Sequence, residues 1–452
     1  MEADLTPDAA IDRFLSRLKP VETLAVALSG GSDSMALLYL LHQRLATADR
    51  PRLIAVTVDH RLRRESKQEV ARVADMCAAM GVTHRTATWR GRKPATGLQE
   101  AARLARYDLL RREALDAGAQ IIVTGHTRDD QIETALMRHA RGAGRGLSGM
   151  AEAVLYRRDC WILRPLLPVR RNALKAILSD AGYVWIDDPS NQDTRFERVR
   201  LRRSGLPGAA DDEVLAMIDQ AEQARRDDAV SLSRFMEQHA TIHAGIIAEL
   251  PQVPAEISEN LQQGIGLSCA LMGGRSHRPG SRLQARIARF TADVGPPRTN
   301  LGRSVLDRRA NRIFIHRERR GQRRMLLGPG EAAVWDERYL FSNRDSRHSF
   351  IVAPTRGQSS PTGLSGDPDP DRDEAIPAGV WSRARLAEPT VFAATADGQT
   401  GEKQAILPEC VSVERHLALF DLFLPEFDHS LADISARLFG RPGYRKLPLR
   451  QA

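Results

Sequence analysis

Aromatic side chains make up only 5% of this 452-residue chain. So small a supply gives no sign of the stacked platforms on which single-stranded nucleic acids lie. Cysteine is scarcer still. Cys77, Cys160, Cys269 and Cys410 stand apart, with no C-x-x-C pair among them. That spacing argues against a disulfide framework, a zinc site or an iron–sulfur cluster, and suggests a reducing compartment. No apolar run reaches the ~20 residues that span a bilayer, and the first residues lack a basic stretch leading into an apolar one. A cytoplasmic protein with no membrane partner is expected. Acids are also in deficit, 57 Asp and Glu against 66 Lys and Arg, for a formal charge of +9. Arginine forks phosphate bidentately and stacks on bases, so a nucleic-acid partner gains weight; a simply solvated basic surface is the rival explanation.

What is present begins with a hydrophobic content of 42%, enough for a globular fold, at a length that predicts two or three domains. The chain is organised around Ser29-Gly30-Gly31-Ser32-Asp33-Ser34. A short apolar run, residues 23–28, precedes it like a buried strand, and Met35 to Leu45 follow like a buried helix. A strand, a Gly/Ser loop and a helix start form an anion cradle, because free backbone N–H groups and the helix dipole face one point. Glycine lets the backbone approach a bulky polyanion, and the serine hydroxyls add donors. A Walker loop would carry Lys here, but this loop has Asp33, and a carboxylate suits Mg2+. A pyrophosphate unit with its metal is the expected guest. A Gly/Ser turn capped by Ser34 or Asp33 would be the plainer explanation. The segment resembles the PP-loop of the N-type ATP pyrophosphatases, which implies cleavage of ATP to AMP and pyrophosphate.

Strands and helices then alternate. A second strand, residues 53–58, ends at Asp59-His60-Arg61-Leu62-Arg63; a third is expected at 82–89 and a fourth at 120–124, leading to Gly125-His126. Such alternation implies parallel strands with ligands bound at their carboxyl ends. The loop at 29–34, the Asp59–Arg63 stretch and the segment from His126 to Glu133 should therefore meet at one edge. A helix starting near Thr127 puts Asp130 and Glu133 on one side, where two carboxylates can hold a metal or a cationic amine, or accept a proton. Asp129 is more simply a partner of the helix dipole. Arg106 is the pocket candidate on the helix expected from Glu100 to Leu115, with surface pairing as its alternative. The run Gly144-x-Gly146-x-x-Gly149 formally matches a dinucleotide fingerprint, but a helix rather than a strand precedes it, so a flexible Gly/Arg loop with Arg141 and Arg145 is expected instead. Residues 161–167 are read as an edge strand or extended segment ended by proline. Arg195, Arg198 and Arg200 crowd a later stretch, where contact with nucleic acid is expected.

Taken in order, the 29–34 loop, Val58-Asp59-His60-x-Leu62-Arg63, Gly125-His126-x-x-Asp129-Asp130-Gln131-x-Glu133-Thr134, the 142–149 loop, Arg164-Pro165-Leu166-Leu167, Asp188-Pro189-Ser190-Asn191 and Val199-Arg200 are similar to the tRNA(Ile)-lysidine synthetase family over roughly residues 20–203. Thr127 stands where that family often has a second His, and the family's anchoring Arg is open among Arg195, Arg198 and Arg200. The resemblance implies ATP-dependent ligation of free L-lysine to C2 of the wobble cytidine in the CAU anticodon of tRNA(Ile). ATP is then a substrate and Mg2+ a cofactor. Asp33 would hold the metal and His126 would meet the α-phosphate. Asp130 and Glu133 would receive the lysine amine, and Arg106 its carboxylate or the developing charge. Ser29, Gly30, Gly31, Ser32, Asp33 and Ser34 would bind ATP with Asp59, His60 and Arg63. Arg141, Arg145, Arg195, Arg198 and Arg200 would bind tRNA. The oligomeric state stays open, a homodimer included.

The expected fold class is α/β: a parallel-sheet, PP-loop nucleotide-binding domain of the adenine nucleotide alpha hydrolase kind over 1–204. A helical tRNA-binding region follows at 211–300, and a smaller α+β appendage at 301–452. Within the last, Pro/Gly/Asp-rich residues 355–378 are expected to be disordered. The nearest alternative is a PP-loop tRNA 2-thiolation enzyme, which would need a persulfide cysteine or a cluster near the pocket. An RNA-binding protein that kept the fold and lost catalysis is a further one.

Overall fold

A computed structural model describes residues 5–46, 51–62, 66–91, 93–142, 145–186, 200, 211–251, 258–309, 311–355, 376–394, 400–404 and 407–450. The chain divides into two units, one of 1–227 with 425–428 and 445–452, the other of 228–424 with 429–444. Among the described residues no helix is long and apolar enough to cross a membrane.

The first unit opens with α1 (Pro7–Arg17), begun by Thr6, whose hydroxyl accepts from the Ala9 N–H. Alternation follows as expected: β1 (Thr23–Ala27), α2 (Ser32–Leu45), β2 (Arg52–Asp59), α3 (Ser66–Ala79), β3 (Thr83–Thr88), α4 (Leu98–Asp116), β4 (Ile121–Thr124) and α5 (Arg128–Ala140). A hairpin of β5 (Ala153–Tyr156) and β6 (Cys160–Leu163) precedes α6 (Arg171–Asp180). The sheet order is β5-β6-β4-β1-β2-β3. β1 pairs in parallel with both β2 and β4. The chain runs outward from β1 through β2 to β3, then returns to the other side of β1 with β4. That reversal is the topological switch point of an open parallel sheet, where a crevice opens beyond the strand ends.

Apolar side chains from both faces close the core, with Leu24, Ala25 and Val26 of β1 and Met35, Leu37 and Leu41 of α2 at 1% exposure or less. One expectation needs correction. Cys160–Leu163 is an interior strand, parallel to β4 on one side and antiparallel to β5 on the other. Pro165 falls beyond its end, so no ladder hydrogen bond is lost to the proline.

Residues 211–300, expected to be helical, hold α7 (Asp211–His239) and the helices Ser258–Gly273 and Ser281–Thr291, but also strands Thr241–His243 and Ile247–Pro251. The second of these pairs with Arg312–Arg317, so one five-stranded antiparallel sheet is built from both sides of residue 300. The start of α7 belongs to the first unit. Val214, Leu215 and Ile218 pack on Ile132 and Ala135 of α5, and Asp211 and Asp212 pair with Arg170 and Arg128.

In the second unit a hairpin joins Ala332–Trp335 to Tyr339–Asn343. Its turn puts Asp336 and Glu337 at φ of 52° and 59°. The buried Asp336 carboxylate accepts from Arg317 at 2.9 Å and Arg338 at 2.8 Å, which offsets the strain of the turn. Of the stretch 355–378, Thr355 is buried and donates to Glu388 O, and Ala378 starts the helix Ala378–Arg385; residues 356–375 lie outside the described residues.

Candidate active site

The 29–34 loop bridges β1 and α2, and hydrogen bonds within it fix its shape. Ser34 Oγ accepts from the Ser29 N–H at 3.2 Å, lies 3.0 Å from Ser29 Oγ and donates to Gly31 O at 3.0 Å. Gly30 sits at φ +84°, and a Cβ there would lie 2.7 Å from Val73 Cγ2 and 3.1 Å from Ile186 Cδ1. Both its backbone conformation and its cover require glycine. Ile186 closes the loop from outside, its N–H donating to Gly30 O. α2 begins at Ser32, so the free N–H groups of its first turn end at this loop.

Across the switch point, Gly125 packs on the same turn, where a Cβ would meet Asp33 O at 2.7 Å and Ser34 N at 2.9 Å. β4 thereby delivers His126 and α5 to the loop. His126 Nδ1 lies 2.8 Å from Thr124 Oγ1. Asp130 fills two roles. One oxygen accepts from the Thr127 N–H and hydroxyl, both at 2.9 Å, closing the first turn of α5. The other oxygen faces Arg171 at 3.1 Å. Glu133, one turn on and 6% exposed, lies 3.6 Å from the same guanidinium. Asp33 meets it at 3.0 Å. The loop acid and the two helix acids thus converge on one cation.

Their ionisation follows from that geometry. Burial raises the Asp33 carboxyl above its ordinary value in spite of Arg171. For Asp130 burial pulls the same way, but Arg171, His126 and the Thr127 hydrogen bonds outweigh it and hold the group low. Arg171 was not singled out from the sequence. Asp129, expected as a dipole partner, accepts from the Arg171 backbone N–H at 2.8 Å and so ties α6 to α5.

The remaining candidates divide. Asp59 is buried at the end of β2 and accepts from the Arg61 N–H and the Ser66 hydroxyl, both at 2.9 Å. It shapes the turn into α3. His60 stands edge-on to Trp89 at 5.9 Å. Burial, then Arg106 and Lys93, lower its pKa, so it is neutral at pH 7. Arg106 lies over the Tyr107 ring at 5.1 Å and is close enough to His60 to act on its charge. Burial alone would push the Tyr107 phenol up, but Arg106, Arg164 and Arg103 bring it to about 8. Arg141 and Arg200 are exposed. Arg145 opens the short turn Arg145–Ser148; Arg63, Arg195, Arg198 and the Asp188-Pro189-Ser190-Asn191 motif lie outside the described residues.

The Gly-rich loop is no dinucleotide site. α5 precedes it, and its end is clamped to α5. The Gln131 amide bonds both Met150 N and Met150 O, and Arg138 donates to Gly146 O at 2.9 Å and Gly149 O at 2.7 Å.

Among the described residues no group of three or more His, Cys, Asp and Glu is arranged as a metal-ligand set. Burial pushes the Cys77 thiol to about 11, Cys160 to about 12 and Cys269 higher still. Thiols so protonated are poor nucleophiles, which weighs against sulfur transfer through them.

A PP-loop domain profile matches residues 5–209. The tRNA(Ile)-lysidine synthase of Rhizobium meliloti (strain 1021) is 36% identical, covering 98% of this chain and 98% of that protein. Its counterpart in Brucella ovis is 40% identical, covering 94% of this chain and 95% of its own. A solved U34-tRNA thiolase from Methanococcus maripaludis is 17% identical with a TM-score of 0.40, covering 48% of this chain and 78% of its own.

Proposed function

Because this chain belongs to the tRNA(Ile)-lysidine synthase family, an ATP-dependent ligase that modifies tRNA, we propose that it joins free L-lysine to C2 of the wobble cytidine in the CAU anticodon of tRNA(Ile). The observation that carries the site assignment is the meeting of Asp33, Asp130 and Glu133 at the switch point of the sheet.

In the first step the cytidine C2 oxygen attacks the ATP α-phosphate and pyrophosphate leaves. The 29–34 loop grips the departing group with the N–H groups of the first turn of α2. His126, just past the end of β4, is assigned to the α-phosphate. In the second step the lysine ε-amine attacks C2, the C2–O bond breaks and AMP departs with that oxygen. The amine must first lose a proton, since its reference pKa is about 10.4. Asp130 and Glu133 draw the ammonium in, and a carboxylate accepts the proton. Arg106 is assigned to the lysine carboxylate or the charge developing on the base.

The Asp33 carboxylate offers hard oxygen donors of the kind Mg2+ takes. Asp33 would hold the metal, which when bound neutralises charge on the leaving pyrophosphate.

Incubation of tRNA(Ile) with ATP, Mg2+ and lysine should raise its mass by one lysine less one water, confined to the anticodon cytidine. A gain of sulfur for oxygen, or no change, contradicts the proposal. Glu133→Gln should raise KM for lysine by about tenfold, the lower end of what a hydrogen bond to a charged group contributes, while leaving ATP affinity near wild type; steady-state kinetics with lysine and ATP varied separately check this. Arg141 and Arg200 are assigned to phosphate contacts, together with Arg145, Arg195 and Arg198. Arg141→Ala and Arg200→Ala should each flatten the plot of log K against log salt by about 0.7–0.9, and filter binding across a salt series measures it. Slopes equal to wild type remove those residues from the tRNA contact.

A further inference from the structure

We propose that Arg171 is a positioning residue for this reaction: one guanidinium sets the spacing between the loop acid Asp33 and the helix acids Asp130 and Glu133. The inference rests on the roles given to those three acids above.

Each guanidinium nitrogen serves a different carboxylate. Nε donates to Asp33 Oδ2 at 3.0 Å, Nη2 to Asp130 Oδ1 at 3.1 Å, and Nη1 lies 3.6 Å from Glu133 Oε1. Nη2 also lies 3.5 Å from Thr127 Oγ1. The backbone of the same residue is fixed independently by Asp129. One side chain therefore ties together α2, α5 and α6, the helices that frame the mouth of the crevice.

Local preference opposes this placement. Arg171 is the first residue of α6, which has no acid in its first turn, and a cation at a helix N-terminus faces the positive end of the dipole. Its side chain is also only 20% exposed, so a guanidinium loses hydration there. Both costs are offset by the three carboxylates, which would repel one another without it. A residue that breaks a local rule and is held by the reacting groups is more readily explained by the site than by the helix.

Planarity matters as well as charge. The fork holds three acceptors at fixed angles, whereas a lysine ammonium at the same place is a compact point charge that cannot span them. Displacing a reacting group by about 1 Å costs on the order of 10²-fold in rate.

The test compares full-length wild type, Arg171→Lys and Arg171→Ala by lysidine mass analysis, kcat and KM for ATP and lysine, tRNA binding and thermal melting. Arg171→Lys keeps the charge, so its melting and tRNA binding should match wild type while kcat falls about 10–100-fold. Arg171→Ala should fall at least as far; if it does not fold, Arg171→Lys decides alone. Wild-type kcat and KM in Arg171→Lys would overturn the inference, since charge alone would then suffice. A rate loss that merely tracks the lost folded fraction would overturn it too. Lysidine formed by wild type, with Arg171→Lys unchanged, sinks this inference and leaves the function standing. A wild type that forms no lysidine sinks both.

Discussion

Asp33→Ala should lower tRNA-dependent release of AMP and pyrophosphate by about 10³-fold, the upper end of the range for removing one preorganised electrostatic contact at a reacting centre. The expectation follows from where the carboxylate stands. It is in the first turn of α2, behind a loop whose backbone is locked by Ser29 and Ser34, and its oxygen faces the same cation as Asp130 and Glu133. Removing it takes away the assigned metal ligand and leaves Arg171 with two acids in place of three. Asp33→Asn keeps the shape and loses the charge, so a comparable loss there assigns the effect to charge rather than to packing. Both variants should bind tRNA as wild type does, since the arginines assigned to tRNA lie elsewhere. Quantifying AMP per tRNA alongside filter binding gives both readouts. An Asp33→Ala protein at full rate would remove the loop from the chemistry.

Gly125→Ala should be nearly as damaging although the residue carries no functional group. The added Cβ would lie 2.7 Å from Asp33 O, 2.8 Å from Asp33 C and 2.9 Å from Ser34 N. All three are backbone atoms, so no flexible side chain can yield; either the start of α2 or the end of β4 must shift. Overpacking of this kind costs about 1–3 kcal/mol, and the displaced atoms belong to the loop that grips pyrophosphate. A rate loss on the order of 10²-fold is expected with a modest fall in melting temperature. By contrast Gly118→Ala, at a glycine with open space around it, should test only the local cost of its positive φ. Kinetics and melting curves on the two variants check the contrast, and equal rates would show that the close approach at Gly125 is unimportant.

The catalytic unit was legible because its signals are local. Apolar runs of strand and helix length alternate, and three polar stretches fall at strand ends, where an open parallel sheet has its crevice. What escaped was long-range. Arg171 is 138 residues from Asp33, and its position at a helix start contradicts the dipole preference that guides sequence reading. The double role of Asp130 escaped for a related reason, since Thr-x-x-Asp closes a helix turn with one oxygen while the other points into the site. The start of α7 also joined the first unit unannounced, through Val214, Leu215 and Ile218 against α5; an amphipathic face shows that it is buried, not against what. In the second unit the turn at Asp336 depends on Arg303 and Arg317, distant in sequence, as well as on its neighbour Arg338.

The central claim is that the departing diphosphate is held by the Ser29–Ser34 loop beside the acids of α5. A structure with a non-hydrolysable ATP analogue and Mg2+ tests it most directly. The β- and γ-phosphates should accept hydrogen bonds from the loop's backbone N–H groups, with the metal about 2.0–2.1 Å from an Asp33 oxygen. A triphosphate lodged at any strand end other than those of β1, β2 and β4, or a metal that ignores Asp33, would contradict it.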